Sequence, residues 1–204
     1  VGGECFYSRM QLRRPAKTDT MDSNRCVLVL VDYQSRLLPA IDEGERVVAQ
    51  AVLLADAAHA IGVRVVGTEQ NPSGLGQNAP QVRERCDATL SKMHFDACED
   101  GLAEALIEGH PAAPRPEVVI AGCEAHVCLL QTALGLLARG FEVWVVENAC
   151  GSRRASDKRV AMQRLRQAGA TLVTAEMVIF EWLATCEHPA FKPVLELVKS
   201  HDRP

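Results

Sequence analysis

No apolar run in this 204-residue sequence approaches the roughly 20 residues that a bilayer crossing requires, so a soluble protein with no membrane contact is expected. Basic residues interleaved with aromatics are also missing. The nearest approach, Arg153 and Arg154 followed by Lys158 and Arg159, is interrupted by Asp157 and reads as a solvated helix start. With a net charge of -4, nucleic acid is not an expected partner. The eight cysteines (5, 26, 86, 98, 123, 128, 150 and 186) contain no C-x-x-C pair. Cys123 and Cys128 flank His126 without a matching second pair, so no metal site is expected. No cleavable signal stands out, which makes a secreted disulfide framework a poor reading. Reduced thiols in a cytoplasmic protein are expected instead. The first apolar run is not followed by G-x-G-x-x-G, no P-loop occurs, and the G-x-S-x-G of a serine hydrolase is absent. No cofactor is expected.

What the sequence does hold is an alternation of apolar runs and helical periods. Hydrophobic residues make up 48% of the chain, enough for one core in one domain. Residues 1–22 have no apolar period and are expected to be a loose N-terminal extension, with Met21 an alternative start. The domain then spans 23–204. Residues 26–31, CVLVLV, form a nearly continuous apolar run of the kind found in parallel strands covered on both faces. Helical spacing over 46–61 closes at Gly62, and a second strand is expected at 63–68. A polar loop at 69–80, rich in Gly, Pro and Asn, is long enough to suggest function. A third strand at 89–92, a helix at 101–109, and further strands at 118–121, 142–146 and 171–174 follow, with helices at 129–137, 156–167, 176–183 and 189–199. Strands alternating with helices imply a three-layer α/β fold with a parallel sheet.

The short link 122–128 joins the fourth strand to its helix. Cys128 falls in or near the first helical turn, where free N–H groups and the helix dipole favour an anion, so it is a candidate nucleophile. In an open α/β sheet the ligand crevice lies beyond the carboxyl ends of the strands, where strand order reverses. Under the order 3-2-1-4-5-6 that point falls between strands one and four. Asp32 ends strand one, Cys128 follows strand four, and Lys92 ends strand three within reach on a long side chain. Each alone has a plain structural reading: a loop cap, a packed thiol, a solvated lysine. Together they make an activated thiol. Tyr33, Gln34, Phe95, Cys123, Asn148 and Cys150 adjoin the same strand ends as candidate substrate contacts. Trp144 is expected in the core, and Phe180 and Trp182 at a neighbouring subunit.

The Asp-x-Gln of Asp32 and Gln34, the lysine of 91–96, and the motif G-x-E-x-x-x-C-x-x-Q-T over 122–132 resemble the isochorismatase-like cysteine hydrolases. The loop 68–76 resembles their isochorismatase domain-containing branch. The resemblance runs from about 26 to 199. It implies a six-stranded parallel sheet and a triad of Asp32, Lys92 and Cys128. It also implies a cis peptide between Cys123 and Glu124, and an oxyanion hole made by the backbone N–H groups of Glu124 and Cys128. The expected activity is hydrolysis of a C–N bond in a small molecule through a thioester. Lys92 and the helix terminus would lower the Cys128 pKa, and Asp32 would act as base. Nicotinamidases of the superfamily hold a metal through an aspartate and histidines. Here 69–71 reads Glu-Gln-Asn, and no histidine lies between His59 and His94, so metal dependence is disfavoured. Three alternatives stay open: vinyl ether hydrolysis led by Asp32, a catalytically quiet scaffold, and a redox pair of Cys128 with Cys123 or Cys150. A homo-oligomer is expected from the resemblance.

Overall fold

The computed structural model describes residues 20–110 and 115–201. Six strands form one parallel sheet: β1 (Cys26–Val31), β2 (Arg64–Gln70), β3 (Ala88–Lys92), β4 (Glu117–Gly122), β5 (Glu142–Val146) and β6 (Thr171–Val173). Their order is β3-β2-β1-β4-β5-β6, the order expected. The central strands β1 and β4 are buried along their whole length, because helices cover both faces and leave no polar side to alternate toward. At the edge, β3 carries mostly exposed residues and turns inward only at Lys92.

The helices are α1 (Gly44–Ile61), the single turns α2 (Pro72–Leu75) and α3 (Pro80–Arg83), α4 (Leu102–Glu108), α5 (Cys128–Ala138), α6 (Ala155–Ala168), α7 (Ala175–Leu183) and α8 (Phe191–His201). Helix α1 packs with α7 and α8 in one layer, and α5 packs with α6 in the other. The period of α1 puts Val47, Val48, Ala51, Leu54, Ala55 and Ala58 inward, and Gly62 ends it in the left-handed region at φ 95°, which glycine adopts without a Cβ penalty.

Three differences from the sequence reading matter. Strand β2 runs two residues past its expected end, so Glu69 and Gln70 belong to the sheet rather than to a loop. Both are buried, which the polar character of the segment concealed. Trp182, expected at a neighbouring subunit, is only 2% exposed and belongs to the core, where its bulk fills space beside β1; Phe180 is part-exposed, and Trp144 is in the core as expected. Residues 1–19 of the expected extension lie outside the described residues. At its inner end Met21 is buried, and its N–H donates to Glu181 of α7 at 3.0 Å.

Candidate active site

Register aligns the strand ends. Val31 pairs with Thr68 of β2 and with Gly122 of β4, and Gln70 pairs with Lys92 of β3. Asp32 leaves β1 in the left-handed region at φ 53°, uncommon for a residue with a Cβ but better tolerated by aspartate. Its Oδ1 accepts from Thr68 Oγ1 at 2.6 Å. Its Oδ2 lies 2.8 Å from Lys92 Nζ, an ion pair whose approach is off the hydrogen-bonding direction and leaves Oδ2 without a hydrogen bond. Lys92 Nζ donates to Gln70 Oε1 at 2.7 Å and faces the carbonyls of His94 and Phe95 at 3.4 and 3.5 Å. Asp32 and Lys92 are both fully buried. A buried ion pair needs polar partners besides its own charges: Thr68 supplies one at Oδ1, and Gln70 with two carbonyls supplies them at the ammonium, while Oδ2 faces Lys92 alone.

Cys128 opens α5, 6% exposed, with Sγ 4.0 Å from Gln70 Oε1. The thiol, the ammonium and the carboxylate therefore meet. Their electrostatics correct one expectation. Burial, with the Asp32 charge next, pushes the Cys128 thiol up to about 12, and Lys92 offsets only part of that. The sulfur is protonated at rest rather than a preformed thiolate, because burial disfavours its charge and the Asp32 carboxylate opposes it more than Lys92 favours it. The Cys123–Glu124 peptide is cis. In the same turn the Val127 N–H returns to Glu124 O at 3.0 Å. Among the described residues, the N–H groups of Glu124 and Cys128 have no acceptor.

Several expected substrate contacts lie elsewhere. Tyr33 is sealed in the core, its hydroxyl donating to Ala149 O at 2.5 Å. Gln34 is a buried strut: its Nε2 donates to Gln70 O at 2.9 Å and Gly76 O at 2.5 Å, and its Oε1 accepts from Gln70 N–H at 2.9 Å. Cys123 and Cys150 are fully buried, inside apolar packing that a substrate cannot enter. Asn148 bridges Gln50 and the Ala175 N–H at 2.9 Å each. Phe95 alone of these is open, at 50%. The residue missed by sequence reasoning is Gln70, which touches both Lys92 and Cys128. Its signal was the period of two: Val66, Thr68 and Gln70 share one face of a strand.

A concavity of about 800 Å³ elsewhere is lined by Leu38, Val48, Val52, Arg85 and His201. It contains none of the trio, and its Arg85 is already bound by Asp56 at 2.6 and 3.1 Å. Chemistry favours the strand rim. No group of three or more potential metal ligands occurs among the described residues.

A three-layer α/β fold in which an acid from central β1, a thiol after central β4 and an ammonium from edge strand β3 share one rim is a hydrolase-type fold. The sequence matches the isochorismatase domain over residues 26–177, and the chain belongs to that family. It is 36% identical over 191 residues to isochorismatase domain-containing protein 2 of Bos taurus, covering 93% of this chain and 90% of the relative. A structure described as the MAR1 ribonuclease of Caenorhabditis elegans superposes with a TM-score of 0.81 at 31% identity, over 89% of this chain and 93% of that one. The ycaC gene product of Escherichia coli, described as an octameric hydrolase of unknown specificity, gives 0.75 at 24% identity, over 90% and 96%.

Proposed function

We propose that this protein is a cysteine hydrolase that cleaves the C–N bond of a small amide through a thioester on Cys128. The observation that carries the reading is the buried contact of Asp32 with Lys92 at 2.8 Å, both acting on a thiol that heads α5 beside two N–H groups without acceptors. Asp32 takes the thiol proton as Sγ bonds to the amide carbon, and the carbonyl oxygen gains the negative charge. The N–H groups of Glu124 and Cys128 stabilise that oxygen. As the tetrahedral adduct collapses the C–N bond breaks, and Asp32 returns its proton to the leaving nitrogen. Water then attacks the thioester with Asp32 as base, the C–S bond breaks, and the thiol recovers its proton. Lys92 fixes the carboxylate in place.

Because the thiol is pushed up to about 12, proton removal and attack are coupled, and reactivity depends on a bound carbonyl. The test is ammonia release from a panel of small amides and carbamates. Turnover by the wild type and none by Cys128→Ala supports the thioester. Full activity in Cys128→Ala refutes it.

A ribonuclease role, the description of the C. elegans neighbour, finds no support in a net charge of -4. The seven described cysteines are all unpaired, which supports a reducing, cytoplasmic setting. Self-association is proposed by likeness to the E. coli octamer and is supported by the exposed apolar pair Met177 and Phe180 on α7; sedimentation that gives only monomer would refute it.

A further inference from the structure

Glu124 stands in an awkward place for the acyl transfer proposed above, on which this inference rests. Its N–H is offered to the oxyanion, yet its side chain carries a negative charge on the same turn. Bond lengths keep that carboxylate carbon within about 5 Å of its own backbone nitrogen. The side chain is only 14% exposed, so water screens it poorly; burial is what chiefly pushes the nearby Cys123 thiol upward, and the Glu124 charge adds a smaller push. Unmatched, it opposes the build-up of charge on the substrate oxygen.

One cation meets it at hydrogen-bonding range. Arg153 Nε lies 2.6 Å from Glu124 Oε1, and among the described residues this is its only ion pair. His126 Nε2 is 4.0 Å from the same oxygen, and its Nδ1 is 3.0 Å from Ser152 Oγ. Arg153 arrives from the loop after β5, and that loop is fastened to the turn by backbone bonds. Gly151 N–H donates to Gly122 O at 3.1 Å, and Ala125 N–H donates to Gly151 O at 2.7 Å. The connection presents the guanidinium to Glu124 although the arginine side chain is itself 57% exposed. Half-exposed pairs contribute little to stability, so the effect of this one lies in the local field.

We propose that Arg153 is a positioning residue of the hydrolytic site: it engages and neutralises the Glu124 carboxylate, so that the two oxyanion donors act without an opposing charge beside them. The test follows acetylation of Cys128 by p-nitrophenyl acetate, read as nitrophenolate release and as added mass on that cysteine. Arg153→Ala slows acetylation by about tenfold to a hundredfold, and adding Glu124→Gln to it recovers most of the loss. Loss of a merely structural contact gives no such recovery. Arg153→Lys, which keeps the charge, stays within about threefold of wild type. The proposal is overturned if Arg153→Ala reacts at the wild-type rate, if the double variant is no faster than Arg153→Ala, or if Arg153→Lys is as slow as Arg153→Ala. A wild-type protein that is never acetylated on Cys128 instead sinks the acyl-transfer reading, and this inference with it.

Discussion

Cys128 has two charged neighbours whose effects on its proton oppose each other, and burial decides between them. A thiol held near 12 has about one molecule in 10⁵ ionised at neutral pH. Haloacetamides need the thiolate and no bound carbonyl, so Cys128 is expected to label slowly. The exposed Cys186 is expected to label first at pH 7.5. For Cys128 the rate should climb about tenfold per pH unit up to at least pH 10, as followed by peptide mass spectrometry; a plateau near pH 7 would show a stabilised thiolate. Lys92→Met should cost about 3–5 kcal/mol of stability by stranding a buried carboxylate, measurable by urea unfolding, whereas an Asp32→Asn,Lys92→Met pair recovers part of that. The trio itself was legible in the sequence because each member ends or follows a strand, where topology gathers side chains. The protonation state was not legible, since it depends on how much water reaches the sulfur. Gln70 was hidden for a related reason: a polar residue at a strand end reads as loop until the partner of its carbonyl oxygen, the Lys92 ammonium, is known.

At the level of elements, the contact between β1 and β4 sets the geometry of the whole rim. Gly122 pairs with Val31, and a Cβ there would run into the carbonyl oxygen and side chain of Val31. Backbone cannot yield as a flexible side chain can, so Gly122→Ala must part the two strands where Asp32 and Cys128 face each other. The expected cost is about 2 kcal/mol or more, seen in urea unfolding, together with loss of Cys128 acetylation. A variant of wild-type stability and reactivity would show that the rim tolerates separation. The central strands were the most legible elements because they are apolar on both faces, and helix periods located α1, α5 and α6 to within a few residues. Pairing order came from the resemblance and the general rule for open sheets. The turns α2 and α3 escaped because one helical turn carries no period to detect.

For the molecule as a whole, the notable chemistry is a core that contains thiols. Cys26, Cys98, Cys123, Cys128 and Cys150 are all buried and unpaired, and burial raises the pKa of each, to about 12 for Cys26, Cys98, Cys128 and Cys150, from an ordinary value of 9.0. Below pH 9 these groups are protonated folded and unfolded alike, so their contribution to stability is fully present. Between about 9 and 12 the unfolded chain releases these protons while the folded chain retains them. Stability must then fall as pH rises, by about 1.4 kcal/mol per pH unit for each such thiol. The shifts share one direction, so their effects add and stability falls steeply above pH 9. The protein is therefore expected to lose stability progressively above pH 9 under reducing conditions. Urea midpoints at pH 8, 9 and 10 measure the slope, and single Cys→Ala variants at Cys26 and Cys98 should each make it shallower by one thiol's share. A stability that stays flat through pH 10.5 would mean that the buried sulfurs ionise as readily inside the fold as in water.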